Sequence, residues 1–467
     1  MTEGATNSGK FIPCCRVLIM VFTTLFVACS YTQQKEFKSS IPVSRLDLLH
    51  ALFVHQTVQI DTYHENTPDK AVFKGKYYCD KAPGTVLLAL PSFALAVGLL
   101  KVVGTPLDSD SGWLISSWIA CAGSLALVTA LGSLAMFIWL CQWVQPRYAY
   151  LTTLALCLGA TPLPYSTLLM SHALTVGLLA ISLWAGDCRV ARTSADRSDL
   201  INAKDMLAGC CCGLALASEF SAGIAVGGVL LHFVVQQYRR AFSLMLGMLP
   251  ALTLVPAYNW VCFGSPFVFA YHHQAVFTQM HQGFFGINWP PDAEKAFGLI
   301  FGLRQGLFCW SPVLLLAFVG YSQLVRNSKE LFLVTYLVPI LQVAAISAYF
   351  LPEAGNTFGP RLLSPILPLM ALPTALGIAS FPRIGAILAG VSILLTTFAT
   401  VIDISLRSAG QNPLLDFYVP SFLQQKFSYN LGSVLGLPGY WSLLPLVLVV
   451  GAGIWFTWRN LSPVPKA

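Results

Sequence analysis

Residues 59–84 read QIDTYHENTPDKAVFKGKYYCDKAPG, a short segment dense in carboxylates, lysines, tyrosines and turn residues. An apolar run begins directly after Gly84, which sets Asp80 and Lys81 at a boundary between water and lipid. A lysine at that depth suits a phosphate carried on a lipid. The ammonium reaches the phosphate while the tail stays in the bilayer. Pro83 and Gly84 fit the turn that starts a helix, whose first amides also attract anions. The plainer alternative is a lysine that snorkels beside an exposed aspartate. Asp61 is the candidate base, since a carboxylate near a phosphate-binding lysine can deprotonate an incoming hydroxyl or amine. Its alternative is a helix cap or a salt bridge to Lys70.

Other ionisable residues interrupt apolar surroundings. Glu219 lies inside the run Met206–Gln236, where an ionisable group is expensive and commonly functional. The alternative is the polar tip of a hairpin. His172, after Ser171, is flanked by apolar sequence and suits donation to a sugar or phosphate, or a satisfied place in the core. Arg304 and Arg361 fall at membrane boundaries, and arginine suits bidentate phosphate contact. Arg361, after Gly359 and Pro360, is the stronger of the two. Snorkelling is its alternative. Tyr271, His272, His273 and His281 cluster in a second polar loop. They lack a helical pair of histidines with a carboxylate on the same face, so acceptor or sugar binding, or a plain solvated loop, reads better than a metal site.

The elements that must position these residues are membrane helices. The chain of 467 residues is 56% hydrophobic and 10% charged, with mean hydropathy +0.68. A soluble domain carries roughly 25% charged residues. Apolar runs matching a ~30 Å hydrocarbon core must be helices, because backbone groups in lipid need internal partners. The runs predict an all-α, polytopic integral membrane protein of about 12 to 13 transmembrane helices. Two runs, Trp113–Val144 and Met206–Gln236, are long enough to hold two short helices each. The net charge of +7 is spread over short loops, which fits helix orientation and argues against nucleic acid. Most of the 13 cysteines lie in apolar runs and no CxxC spacing occurs, so neither a zinc site nor a disulfide framework is expected. Cys79, in a polar loop, is the exception and reads as a free thiol.

The expected organisation is an N-terminal tail and first helix over 1–32, read as uncleaved despite some likeness to a signal peptide. A first extracytoplasmic loop carrying the chemistry follows over 33–84, then a helical module over 85–263, a second loop over 264–297 and a second helical module over 298–467. The short loops with Arg326, Lys329 and Arg383, and Arg459 at the end, are basic and should be cytoplasmic. That sets the large loops, including 403–439, together on the opposite face. Asp187–Asp205 is also basic and should lie inside, which conflicts with the parity of the preceding spans unless one run is split or re-entrant.

The 59–84 segment resembles the first extracytoplasmic loop of bacterial GT-C glycosyltransferases, relatives of the protein-O-mannosyltransferases and lipid A aminoarabinose transferases. Asp61 matches an early acid in that loop. Tyr77, Tyr78, Asp80, Lys81 and Pro83 match its tyrosine–acid–lysine–proline turn. Weaker likenesses extend over roughly 45–370, through Pro164 to His172, Tyr258 to Pro266, Arg304 to Pro312, and Phe358 to Arg361. The resemblance implies a GT-C-like bundle in the cell (inner) membrane with an extracytoplasmic active site, the early acid acting on the acceptor and the lysine on the carrier phosphate. It departs from the broader family where Ser171 and His172 stand in place of a second acid, which leaves a divalent metal open.

The combined expectation is a transferase moving a sugar from a polyprenyl-phosphate donor to a lipid, glycan or protein acceptor. Asp61, Asp80 and Glu219 are assigned to catalysis. Lys81, Tyr63, Tyr77, Tyr78, His172, Arg304 and Arg361 are assigned to substrate binding. A transporter or flippase for a lipid or small polar solute would instead place charges deep in paired helices. A non-enzymatic scaffold is the third reading.

Overall fold

The computed structural model describes residues 13–34, 40–187, 201–236, 238–406 and 412–461. Helix dominates, and the chain is an all-α, polytopic integral membrane protein. Among the described residues seven helices are long and apolar enough to cross a bilayer: Gly84–Val102, Asp110–Leu140, Tyr238–Phe263, Lys329–Ser347, Arg361–Ser380, Pro382–Val401 and Gly439–Asn460. Cys15–Ser30, Ser171–Gly186, Phe220–Gln236 and Leu414–Leu423 are apolar but shorter. The remaining apolar runs of the sequence correspond to these shorter helices or to broken ones.

The two long runs resolve in opposite ways. Asp110–Leu140 is one continuous helix, and its surplus is absorbed as a π-turn at Ala122–Ala126. Met206–Gln236 splits. One helix ends at Ser218, Glu219 is extended (φ −152°, ψ 109°), and a single 3₁₀ turn leads into the helix Gly223–Gln236. The run starting at Gly306 also breaks, at Ser311–Pro312, where proline supplies no amide. The basic residues 188–200, expected on the cytoplasmic face, lie outside the described residues.

The large loops are structured and meet one another. Thr32–Gln33 pairs antiparallel with Tyr429–Asn430 of the third loop. Lys70–Phe73 and Lys76–Cys79 form a β-hairpin. Its turn is Lys74–Gly75 with both φ positive (50° and 74°), the handedness that follows strand twist. The second loop docks on this hairpin through a bridge between Ala71 and Gln274. Tyr78 and Ala71 bury against Phe263 and Ala270, so hairpin and second loop share a small core. Cys79, read from sequence as a free thiol, is free and fully buried, and burial pushes its pKa up to about 11. The loops thus gather at one end of the helix bundle.

Candidate active site

Lys81 is the point from which the site is built. The hairpin ends at Cys79, and the helix Gly84–Val102 begins three residues after Lys81. Gly84 lets this junction press on the broken helix: a Cβ there would lie 2.6 Å from the Ala217 carbonyl carbon and from Ser218 Oγ. Lys81 is thereby buried, with its Nζ 2.8 Å from Asp80 Oδ2 and 3.2 Å from Asp69 Oδ1. Burial alone would lower the lysine pKa, but the two carboxylates outweigh it and hold the ammonium above its ordinary value. Asp80 also accepts from Gln274 Nε2 at 3.3 Å, which ties the second loop to the same charges.

A cavity of about 450 Å³ opens beside Lys81, within the size range of ligand sites. Arg45, Asp69, Lys81, Glu219 and Arg361 bring charge to its lining. Its remaining walls are largely aromatic, including Phe220, Tyr271, Phe285, Tyr349 and Phe350. Much of the aromatic cover comes from the second loop, where Phe285 packs on Phe220, Phe269 and Tyr271 with ring centroids 5.1–6.0 Å apart.

Each charged wall is fixed by neighbours. Arg45 projects from the helix Ser40–His50 and is almost fully buried. Its Nη1 donates to Leu169 O (2.9 Å), and its Nη2 reaches Ser171 Oγ (3.3 Å) and Ser218 O (3.4 Å). The last carbonyl is one freed by the helix break, so the arginine also satisfies a group that lipid could not. Asn66 joins the motif to the same helix by donating to Asp47 at 3.0 Å. Arg361 donates to Ala354 O and lies 3.3 Å from Met170 Sδ. Glu219 accepts from Ser171 Oγ at 2.5 Å and Ser221 Oγ at 3.1 Å, with His172 Nδ1 3.8 Å away. The Nε atoms of Arg45 and Arg361 are buried without a partner.

Among the residues assigned from sequence, Lys81, Glu219, His172 and Arg361 line this one cavity. Asp80 stands directly behind Lys81. Asp61 does not line it. Its carboxylate takes Lys76 Nζ at 2.9 Å and the Tyr77 amide at 2.8 Å on the outer side of the hairpin. Lys70, the partner in the alternative reading of Asp61, donates instead to His64 O. The three tyrosines are likewise absent from the lining: Tyr63 donates to Asp108 (3.0 Å), Tyr77 stacks on His64 (3.8 Å), and Tyr78 packs on Phe263. Arg304 anchors a loop by donating to Asn356 and Leu406 O, also away from the lining. The structure thus gives these side chains architectural partners.

Two lining charges went unassigned in the sequence. Asp69 sits within the 59–84 motif but carried no cue separating it from its acidic neighbours. Arg45 precedes a semi-apolar stretch, and a lone arginine there was the available signal. Among the described residues no group of three or more His, Cys, Asp or Glu side chains is arranged to hold a metal ion. His273 rests instead against Phe73 and Phe263, and His281 approaches Gln274 O.

No protein-family model and no curated protein matches the chain. Among solved structures it is similar to the crystal structure of ArnT from Cupriavidus metallidurans bound to undecaprenyl phosphate. The TM-score is 0.49 and the identity 15%, with 96% of this chain and 75% of that chain covered. The apo state of ArnT from the same organism matches with TM-score 0.48 and 15% identity, over 96% of this chain and 74% of that one.

Proposed function

We propose that the protein transfers a sugar from a polyprenyl-phosphate donor to an acceptor hydroxyl or amine, at the cavity beside Lys81. One observation carries the reading: three buried cations from three separate chain segments, Arg45, Lys81 and Arg361, line a single cavity whose other walls are mostly apolar and aromatic. Such a site accepts a phosphate attached to something hydrophobic. The unpaired Nε atoms of the two arginines add donors for its oxygens.

In this mechanism the acceptor attacks the anomeric carbon. The bond from that carbon to the phosphate oxygen breaks, and the lipid phosphate leaves with the electron pair. Charge grows on the phosphate as the bond breaks, so fixed cations stabilise the transition state more than the ground state. Glu219 takes the acceptor proton. It is held by two hydroxyls, whereas Asp69 and Asp80 are committed to the Lys81 ion pair. Those two aspartates position the lysine. Among the described residues no metal cradle forms.

The extracytoplasmic face of a cell membrane is the proposed location. Lys329 begins the helix that ends at Ser347, beside cavity residues Tyr349 and Phe350. The basic short loops therefore stand one helix length, about 28 Å at 1.5 Å per residue, from the cavity. Basic loops mark the cytoplasmic end.

The test is turnover of glycosyl esters of undecaprenyl phosphate by purified protein in liposomes, read as release of free lipid phosphate with a candidate acceptor present. Glu219→Gln should lower kcat by about 10²–10⁴-fold while lipid-phosphate binding persists. Undiminished turnover by that variant would remove Glu219 from the reaction.

A further inference from the structure

Gln342 lies in the helix Lys329–Ser347, is fully buried, and lines the cavity. Its Nε2 donates to two backbone carbonyls, Ser221 O at 2.9 Å and Leu362 O at 3.1 Å. Both acceptors are carbonyls, so the amide has one orientation; a flip would set Oε1 against two oxygens. That orientation leaves Oε1 buried with no donor. A buried carbonyl without a donor is costly, and native interiors rarely keep one unless something else supplies the hydrogen. A phosphate oxygen accepts and does not meet this need; a group that donates, as a sugar hydroxyl does, would.

Its location narrows which hydroxyl. Ser221 O, the anchor of the amide, lies two residues after Glu219, and Ser221 Oγ donates to the Glu219 carboxylate. Leu362, the other anchor, directly follows Arg361. Gln342 is therefore pinned between the proposed base and one of the phosphate-binding arginines. The anomeric carbon, bonded to the phosphate and attacked by the acceptor that Glu219 deprotonates, must lie in that interval, with the rest of the sugar around it. We infer that Gln342 Oε1 accepts a hydrogen bond from a hydroxyl of the transferred sugar, and so selects a hydroxylated donor group over bare lipid phosphate. This rests on the phosphate-site reading above, but its failure is distinguishable from failure of that reading.

A site built to accept from a substrate hydroxyl discriminates strongly against an analogue lacking it, because the protein group is then stranded. The experiment measures dissociation constants of purified wild type and Gln342→Met for undecaprenyl phosphate and for its mannosyl, glucosyl and arabinosyl esters. Wild type should bind at least one ester about 10-fold or more tightly than the free lipid phosphate. In Gln342→Met that preference should fall to within about threefold, with affinity for free undecaprenyl phosphate falling less than affinity for the preferred ester. A second arm needs no variant: single deoxy forms of the preferred ester, tested on wild type, should include one position whose loss abolishes the preference. Retention of the preference by Gln342→Met, a wild type indifferent to the esters, or a deoxy series with no sensitive position would each overturn the role of Gln342. Wild type that binds none of these phospholipids would overturn the phosphate site itself.

Discussion

Two acid–lysine pairs leave the same hairpin in different directions. Asp61 and Lys76 meet at 2.9 Å with side chains 35% and 51% exposed. Asp80 and Lys81 meet at 2.8 Å with side chains 0% and 7% exposed. Distance does not separate them. Surroundings do. The outer pair sits in water, where an ion pair is worth about 0–1 kcal/mol. The inner pair has lost its hydration and gained a second carboxylate, Asp69, along with a cavity wall. In buried surroundings each charge depends on its partners, and what enters the cavity feels the field at close range.

The sharpest test of this contrast is Lys81→Met. It leaves Asp69 and Asp80 buried without their cation, a situation that costs about 3–5 kcal/mol when one partner of a buried pair is removed. Folded protein should fall measurably in thermal unfolding, and the fraction that folds should lose turnover by about 10²–10³-fold, the scale of removing one charge-stabilising group. Lys76→Met, the matching change on the outer pair, should alter neither by more than about 1 kcal/mol. Equal effects from the two would erase the distinction.

Arg45→Lys probes the next level. The guanidinium spans Leu169 O, Ser171 Oγ and Ser218 O, and a lysine has one nitrogen for these three sites. The charge persists, so the donor should still bind, with affinity reduced about 10-fold. The check is the dissociation constant for undecaprenyl phosphate, with Lys76→Arg as the neutral comparison. Unchanged affinity for undecaprenyl phosphate would remove Arg45 from the phosphate site.

The same contrast explains what the sequence made legible. Membrane helices were readable because hydrophobic length is a local property, and twelve or so apolar runs need no tertiary knowledge. Lys81, Glu219 and Arg361 were readable as charges at or inside apolar boundaries, where their presence alone is costly. Asp61 and Asp69 were not separable. They stand eight residues apart in one polar segment, and only the folded loop sets Asp61 on Lys76 and Asp69 on Lys81. The tyrosines misled for a related reason. A tyrosine's apolar ring and polar tip suit packing as well as ligand contact, and Tyr63, Tyr77 and Tyr78 all found partners within the loop. Arg45 was hidden by distance, since its partners are more than 120 residues away. The length of Met206–Gln236 allowed two short helices, but the position of the break at Glu219 depends on distant side chains that cap the freed carbonyls.

The smallest effect belongs to Asp61→Asn. The asparagine keeps an acceptor for the Tyr77 amide but loses the ion pair with Lys76, so the cost should be about 0.2–1 kcal/mol with turnover nearly unchanged. Partial burial raises the Asp61 pKa, but the Tyr77 amide and the Lys76 ammonium together outweigh it and hold the carboxyl below its ordinary value. A depressed folded-state pKa contributes stability above the unfolded value of about 3.9, and that contribution disappears as pH falls through the folded value. The stability difference between wild type and Asp61→Asn should therefore stay constant from about pH 8 to pH 5 and shrink below about pH 4. Thermal unfolding across that range measures it. A loss of turnover comparable to that of Glu219→Gln would return Asp61 to the chemistry and dissolve the distinction between the two faces of the hairpin.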